Sequence, residues 1–278
     1  MGRPEIARLP QTGTGIGLRL PLVHEMLSNK PDIDFIEIIA DNYFDFRSRA
    51  WRFLDEIRER CPVVVHSVGL NILGANPIDP EYLRNLKNVA DRLDTPFLSD
   101  HLCWCSLDDF HSYDLLPVPF RSDLVDFAAN RASDIQSYLE RPFGLENLSS
   151  YVQFPQSDLS EWDFYNAVVR EAKCHYLLDI NNVYVSSCNH GFNPLSYLDS
   201  IDYSRVAQIH LAGHERVSET LVVDTHDGPI CKEVWDLFSW VSRTKGSFPT
   251  LIEWDEKIPQ LSCVLAEMTK AREQRRCD

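Results

Sequence analysis

Residues 175–182, with the sequence HYLLDINN, contain the pattern that decides the fold. A short apolar run ends at Asp179, and Asn182 follows three residues later. Continuous apolar runs of this length are typical of strands that are buried on both faces of a parallel sheet. The stretch therefore predicts a buried parallel strand with polar side chains at its C-terminal end.

Similar apolar runs recur along the whole chain, and amphipathic segments separate most of them. The runs are Ile16–Leu20, Asp34–Ile39, Pro62–Val65, Pro96–Ser99, Phe143–Glu146, His175–Asp179, Val206–His210 and Thr250–Glu253. The amphipathic segments are Phe46–Arg60, Pro80–Leu93, Arg121–Glu140, Ser160–Ala172, Pro229–Thr244 and Pro259–Arg275, with shorter connections at Pro21–Asn29 and Pro194–Ser200. Eight strand–helix units in sequence predict an α/β protein with a (β/α)8 TIM barrel. We expect residues 1–278 to form a single domain with its barrel core at about 15–275, because no linker divides the chain.

The composition narrows the classes of function. The 278-residue chain has a net charge of −15, and proteins that bind nucleic acids usually present a basic face. The 8 cysteines form no CxxC pair, and no secretion signal is visible, so we expect reduced thiols. No apolar run approaches the roughly 20 residues that cross a bilayer. These features predict a cytoplasmic enzyme with neither a nucleic acid nor a membrane as its partner.

Barrel enzymes assemble their active sites at the C-terminal ends of the strands, so the polar residues at these ends are the candidates. Nine potential metal ligands end or follow the apolar runs: His66, His101, Glu146, Asp179, Asn182, His210, Asp224, His226 and Glu253. Imidazoles suit iron and zinc, and carboxylates can bridge ions, so this set has the capacity for two or three ions. A shared cation would also offset the cost of burying several carboxylates. The absence of cysteine from the set argues against a thiolate-rich structural zinc site.

The segment VVDTHDG at residues 222–228 adds two of these candidates between the seventh strand and its helix. Asp224 and His226 have the same-side spacing of an extended segment, which lets both reach one ion. Asp255 and Glu256, just beyond the eighth strand, are expected to be solvated. Four further side chains are expected to orient ligands or substrate around the set: Asp100, Asn147, His190 and His214.

Seven segments carry a resemblance to a known family. They are HSVGLNILG (66–74), SDHLCW (99–104), GLENLSSYV (144–152), LDINNVYVSSCNHGF (178–192), IHLAGHE (209–215), DTHDGP (224–229) and LIEWDE (251–256). These segments resemble those of the multinuclear non-heme iron-dependent oxidases, which are related to the oxidase of methanobactin biosynthesis. The resemblance extends over about residues 15–259, which is nearly the whole chain.

This resemblance implies a TIM barrel that holds two or three iron ions in a mixed ferrous and ferric state, with dioxygen as co-substrate. The substrate would be a ribosomally made precursor peptide that is modified at cysteine, and a small partner protein would present it in a heterodimer. One similar member shortens a C-terminal peptidyl cysteine to build 3-thiaglutamate. The resemblance makes the nine candidates iron ligands, with Glu146 as a bridging carboxylate. His210, Glu146 and Asn182 would be the residues most directly involved in catalysis.

Other functions remain open on the residues alone. The layout also resembles the wider barrel superfamily of xylose isomerase and endonuclease IV, which includes metal-dependent hydrolases and nucleases. The endonuclease pattern has Asp-x-x-His on the sixth strand, whereas Asp179 is followed by Asn182 here. A sugar isomerase would need a lysine or arginine at a strand end, and none is evident. A metal-binding scaffold without enzymatic activity is the third alternative.

Overall fold

The computed structural model describes residues 12–275, so both ends of the predicted 1–278 domain lie outside the described residues. The strands of this part are β1 Thr14–Gly17, β2 Phe35–Ile39, β3 Val63–His66, β4 Leu98–His101, β5 Trp104–Leu107, β6 Phe110–Leu116, β7 Phe143–Glu146, β8 His175–Asp179, β9 Val206–Leu211, β10 Glu215–Arg216, β11 Val222–Val223 and β12 Thr250–Ile252. Eight of them close a parallel barrel in the order β1-β2-β3-β4-β7-β8-β9-β12. The remaining four form two antiparallel pairs, β5–β6 and β10–β11.

The eight predicted runs are the eight barrel strands, so the predicted (β/α)8 fold is confirmed. The helices that surround the barrel are α1 Val23–Asn29, α2 Arg49–Arg58, α3 Pro80–Leu93, α4 Val125–Leu139, α5 Glu161–Ala172, α6 Ile180–His190, α7 Pro194–Ser200, α8 Lys232–Thr244 and α9 Leu261–Arg275. In the described part of the chain, no helix is long and apolar enough to cross a membrane.

Local sequence explains where these helices begin. At α3, the Asp79 side chain accepts a hydrogen bond from the Glu81 N–H at 2.8 Å, and Pro80 occupies the first turn, where its missing N–H costs nothing. At α5, the Ser160 hydroxyl accepts a hydrogen bond from the Asp163 N–H at 3.1 Å. Both helices bury one face against the barrel and expose the other.

Helix α6 corrects the sequence prediction, which expected only the short segment Pro194–Ser200 after the sixth strand. The Asp179 carboxylate accepts a hydrogen bond from the Asn182 N–H at 2.6 Å and so caps α6 directly at the end of β8. The helix ends at Gly191, which has a φ of 74° that favours glycine. Because much of α6 is buried, the amphipathic spacing that reveals the other helices is weak here.

The interior of the barrel has an apolar layer beneath a polar one. The buried apolar layer consists of Phe35, Val64, Phe97, Leu177, Ala207 and Leu251. For five of these six residues, the residue two positions later in the chain is polar and buried: Glu37, His66, Ser99, Asp179 and Glu253. Side chains alternate along a strand, so residues two apart lie on the same side. The strands therefore carry the apolar layer and the polar layer on one inward face.

Candidate metal centre at the barrel mouth

The structure brings the predicted ligands together at the C-terminal end of the barrel. Four are the last residues of β3, β4, β7 and β8: His66, His101, Glu146 and Asp179. The others lie in β9, after β12, in the first turn of α6 and after β11: His210, Glu253, Asn182, Asp224 and His226. Their donor atoms form three groups, each within 4.8 Å: site A (His66, His101, Glu146), site B (Glu146, Asp179, His210, Glu253) and site C (His226, Glu253, Asp255).

Site A consists of two imidazoles that face one carboxylate oxygen. The Nε2 atoms of His66 and His101 lie 3.4 and 3.3 Å from Oε2 of Glu146. The other ring nitrogen of His66, Nδ1, lies 2.9 Å from the Ser99 hydroxyl. Metal-binding histidines commonly have their outer nitrogen fixed by such a hydrogen bond, which orients the inner nitrogen toward the ion.

Site B shares Glu146 with site A. Its second oxygen, Oε1, lies 3.5 Å from Nδ1 of His210, and the same nitrogen lies 3.0 Å from Oε2 of Glu253. The two oxygens of Glu146 therefore face different sites, Oε2 toward site A and Oε1 toward site B. Glu253 likewise belongs to both site B and site C.

The start of α6 completes site B through a network of amide side chains. Asn147 donates from Nδ2 to the Asp179 carbonyl and accepts from the Asp179 N–H, both at 2.9 Å. Asn182 donates from Nδ2 to the Asn147 carbonyl at 3.0 Å. These bonds leave the buried Oδ2 of Asp179 and Oδ1 of Asn182 without a hydrogen-bond partner. Both oxygens are therefore available to an ion.

Site C differs from the expectation of an extended Asp-x-His segment. His226 has a φ of 46°, so a turn, rather than strand alternation, brings its Nε2 to 2.7 Å from the Asp224 carboxylate. Its Nδ1 lies 2.9 Å from Asp255 and 3.6 Å from Glu253. The group within ligand distance therefore includes Asp255, whereas Asp224 lies beside it. The expectation that Asp255 is simply solvated is wrong.

Three more buried polar residues near the centre did not emerge from the sequence: Arg19, Glu37 and Gln208. Glu37 accepts a hydrogen bond from the Gln208 amide at 2.6 Å and lies 3.2 Å from Nε2 of His210. Glu37 occurs within the apolar stretch FIEII at residues 35–39, and a charge inside a buried strand is a signal that could have identified it. The contact supports His210 from the side opposite to the proposed ligands.

The electrostatics of site A favour neutral imidazoles. Burial is the largest cause of a lowered pKa at both His66 and His101, and it brings the pKa of His101 to about 4. Burial also raises the pKa of the Glu146 carboxyl to about 7. The pKa of Asp179 is raised well above its usual value by burial and by the neighbouring Glu146. Neutral imidazoles are the form that binds a metal.

The imidazoles of sites B and C are instead surrounded by carboxylates. Burial alone would lower the pKa of His210, but Glu37 and Glu253 raise it well above its usual value. At His226, burial likewise favours a lower pKa, but Asp224 and Glu253 raise the pKa well above its usual value. In the metal-free chain, protons on these imidazoles balance the carboxylates. An entering cation would take over that role and release the protons.

The four residues expected to orient ligands have different environments. Asp100 is buried and accepts hydrogen bonds from the Ser67 hydroxyl at 2.7 Å and from two backbone N–H groups, so it joins the loop after β3 to β4. His214 lies 2.7 Å from the Asn181 side chain, which in turn donates to Asp224. His190, at the end of α6, contacts the Ser150 hydroxyl at 2.9 Å and lines a separate cavity of about 580 Å³. Asn147 contacts the candidate ligands directly, as described above.

A cavity of about 220 Å³ opens above the three sites. Candidate ligands of sites A and C form its floor, while Val68, Leu115, Leu148 and Tyr151 contribute to its wall. No lysine or arginine occurs among the described residues that line it. The cavity therefore combines apolar side chains with polar and acidic ones, and the acidic side chains lie at the candidate ligands.

The residues present fit a group of metal ions. Among the described residues, Oδ2 of Asp179 and Oδ1 of Asn182 have no hydrogen-bond partner. Oε2 of Glu146, Nδ1 of His210 and Nε2 of His226 face the ion-pair partners given above but form no hydrogen bond. Buried polar atoms normally form hydrogen bonds, so this cluster suits a bound cation. Imidazole nitrogens and carboxylate oxygens without thiolates suit iron, zinc or manganese.

Comparisons with known proteins agree with the fold and identify the family. The family model that describes the RiPP precursor modification enzymes MbnB/TglH/ChrH matches residues 13–276. A UPF0276 protein of Caulobacter vibrioides is 42% identical over 264 residues, which cover 95% of this chain and 94% of that protein. RiPP denotes a ribosomally synthesised and post-translationally modified peptide.

Two solved structures illustrate the wider fold. D-psicose 3-epimerase from Clostridium cellulolyticum superposes with a TM-score of 0.60 at 12% identity and covers 95% of this chain and 98% of its own. Endonuclease IV from Thermus thermophilus gives a TM-score of 0.59 at 15% identity and covers 94% of this chain and 98% of its own. At such identities the similarity shows a shared barrel and nothing about the reaction.

Proposed function

The chain belongs to the family of RiPP precursor modification enzymes MbnB/TglH/ChrH, and from this premise we propose that it is a multinuclear iron-dependent oxidase. It would use dioxygen to modify cysteine in a precursor peptide. Family membership makes the chain an enzyme that acts on such a peptide, while iron, dioxygen and cysteine come with the sequence resemblance. The observation that carries the proposal is the arrangement of sites A, B and C, which are adjacent and share Glu146 and Glu253.

The proposal assigns the donor atoms as follows. His66, His101 and one oxygen of Glu146 would hold an ion at site A, and the other Glu146 oxygen would hold one at site B with Asp179, His210 and Glu253. Site C would use His226 and Glu253 with Asp224 or Asp255. Bound iron would supply the redox chemistry with dioxygen that these side chains cannot provide themselves.

The chain's own residues would position the peptide. The apolar side chains in the wall of the 220 Å³ cavity would limit the access of water, and the cavity admits a small side chain such as that of cysteine. Asn182 supports this assignment because it lines the cavity and offers a neutral carboxamide oxygen, which would leave a bound ion able to accept an anionic thiolate. Holding the reacting carbon in one orientation supplies much of the rate enhancement in such sites. We also propose a small partner protein that presents the peptide, on the basis of the resemblance alone.

The hydrolase alternative, of the endonuclease IV type, has less support. Proteins that bind nucleic acids neutralise phosphates with lysine and arginine. The described residues lining the cavity include neither type, and Asn182 occupies the position where the endonuclease pattern has histidine. The resemblance to endonuclease IV therefore extends to the barrel but not to the chemistry of the cavity.

Metal content tests the proposed function. The chain, purified anaerobically from iron-57 medium, should contain two to three irons, part ferrous and part ferric, by plasma mass spectrometry and Mössbauer spectroscopy. His210→Ala should lose most of this iron, whereas His24→Ala should retain it because His24 is an exposed histidine on α1. Stoichiometric zinc with little iron, despite iron-rich medium, would favour the hydrolase.

Oxygen consumption then tests the reaction. The probe is a synthetic peptide that matches a short cysteine-containing reading frame next to the gene. The iron-loaded chain should consume dioxygen with this peptide, and a cysteine-to-serine version of the peptide should abolish the consumption. Full consumption with the serine peptide would contradict modification at cysteine.

A further inference from the structure

Both carboxylates of site C lie beside a buried arginine, Arg19. Nη2 of Arg19 lies 3.0 Å from Oε1 of Glu253, and Nε lies 2.7 Å from Oδ1 of Asp255, with a second, shorter contact from Nη2 to the same oxygen. Arg19 is only 8% exposed. The guanidinium therefore forms a fixed ion pair with two of the three residues of site C.

The sequence makes room for this arginine. Arg19 follows β1, whose last residue is Gly17. A Cβ atom at position 17 would lie 2.9 Å from Nη1 of Arg19, closer than such atoms pack, so glycine provides the space for the guanidinium. Nη1 itself is buried and has no hydrogen-bond partner among the described residues. The position of the side chain is thus built into the barrel and does not result from a mobile surface contact.

Site A has no such neighbour, and site B has it only at Glu253, which it shares with site C. Among the residues that the structure describes, Glu146 forms ion pairs only with the histidines His66, His101 and His210. Asp179 forms no ion pair with a lysine or arginine within this part of the chain, and its Oδ2 is unpaired. A cation entering site A therefore meets no fixed positive charge in contact with its carboxylate, and one entering site B meets it at one of three carboxylates. In site C, both carboxylates are paired with Arg19.

We propose that Arg19 is a built-in cation that keeps the metal affinity of site C below that of sites A and B, so that site C fills last. This inference rests on the proposed function, because it assumes that the three sites bind metal. An arginine stays protonated at all accessible pH values, so its repulsion of an incoming ion is permanent. The repulsion is strong because both charges lie in a buried region of low dielectric. Arg19 also occupies carboxylate oxygens that the ion would need.

Stepwise Zn²⁺ titration of the metal-free chain against a chromophoric chelator tests the proposal. The wild type should show two tight steps and one weak step. Arg19→Gln, which removes the charge, should tighten the weak step at least about tenfold and change each of the two tight steps by a smaller factor. Arg19→Lys, which retains the charge, should keep the weak step weak. No change, or weaker binding at the weak step in Arg19→Gln, would overturn the proposal.

Three further variants identify the site and make the test independent of whether Arg19→Gln folds normally. His226→Gln should eliminate the weak step of the wild type, whereas His66→Gln should eliminate a tight one; the reverse assignment would overturn the proposal. The double variant Arg19→Gln/His226→Gln should lose the gain in affinity, which places that gain at site C. If the wild type bound no Zn²⁺ tightly at all, the proposed function would fail before the role of Arg19 was reached.

Discussion

The lower and upper layers of the barrel interior are made by the same strands but have opposite properties. Below, Phe97, Leu177 and their neighbours form a closed apolar cluster without polar atoms to satisfy. Two residues further along β8, Asp179 has a buried oxygen without a partner. The lower layer has the apolar packing of a stable core. The upper layer instead buries polar atoms, some of which have no hydrogen-bond partner.

This difference separates stability from function within one interior. Apolar burial stabilises the fold, whereas buried carboxylates without partners destabilise it unless a cation binds. In TIM barrels the C-terminal face carries catalysis and the opposite end contributes stability. Substitutions in the lower layer should therefore change the free energy of unfolding, and substitutions in the upper layer should change metal binding.

Phe97→Ala should have the largest effect on folding. Phe97 is fully buried, and the absence of a side chain at Gly144 makes room for its ring, since a Cβ there would lie 2.4 Å from Cζ. Loss of the ring should lower the free energy of unfolding by about 3–5 kcal/mol, measured by urea denaturation of the metal-free protein. Phe110→Ala, at a 60% exposed position on β6, is the matched control and should change it by less than about 0.5 kcal/mol. A loss below about 1 kcal/mol for Phe97→Ala would indicate a poorly packed lower layer.

Glu146→Gln should lower metal affinity without lowering the free energy of unfolding. A carboxamide has one acceptor oxygen and a donor group, so it cannot serve sites A and B at once. The metal affinity of both sites should fall by at least about a hundredfold, more than is usual for residues that only orient ligands. The metal-free variant should be at least as stable as the wild type. The measurement is metal content after dialysis. Glu140→Gln, which changes an exposed side chain after α4, is the control and should retain its metal. If Glu146→Gln retained two or three ions, Glu146 would not bridge the two sites.

Glu37→Gln should have a smaller and more local effect. The Glu37 carboxylate contacts Nε2 of His210, and the other ring nitrogen of His210 faces site B. A neutral amide holds the ring less firmly, so the affinity of site B should fall by about 10–100-fold while that of site A stays unchanged. Competition titration with Zn²⁺ distinguishes the two steps. An equal loss at both sites would mean that Glu37 supports the barrel rather than His210.

The sequence predicted the barrel well because its signal is repeated. Eight continuous apolar runs each became a barrel strand. The strand pair β5–β6 and helix α6 were not predicted. Strand β6 is largely exposed and carries few of the apolar contacts that mark the barrel strands. Helix α6 is rich in asparagine, serine and valine, which are mediocre helix formers, and its stability comes from the Asp179 cap and from burial.

The candidate ligands could be predicted because chain position alone marks the end of a strand. The supporting residues depend on contacts between distant parts of the chain. Arg19 and Asp255 are 236 residues apart in sequence, and neither lies in a pattern that suggests the other. Asp255 followed by Glu256 resembles an ordinary solvated acidic pair until Arg19 is placed beside it. The sequence thus identifies candidate ligands more readily than the residues that orient those ligands or pair with their charges.

A half-buried carboxyl outside the barrel interior, that of Glu161, provides the test with the smallest expected effect. Glu161 begins α5, and its carboxyl accepts a hydrogen bond from the Tyr197 hydroxyl at 3.2 Å. Burial raises its pKa from 4.5 to about 8, so the folded chain retains a proton that the unfolded chain loses earlier. Its contribution to stability is complete below pH 4.5 and is lost as the pH rises toward 8.

Glu161→Gln removes this titration. Between pH 5 and pH 8, the free energy of unfolding of the wild type should therefore fall by on the order of 1 kcal/mol relative to that of the variant. Urea denaturation of the metal-free proteins at pH 5, 6.5 and 8 measures the difference, and Glu56→Gln on the exposed face of α2 should parallel the wild type. If the free energy of unfolding of Glu161→Gln had the same pH dependence as that of the wild type, this fold would tolerate a buried carboxylate without a cation. The unpaired carboxylates at the barrel mouth would then no longer argue for metal by their burial, and the case would depend on the direct measurement of bound ions.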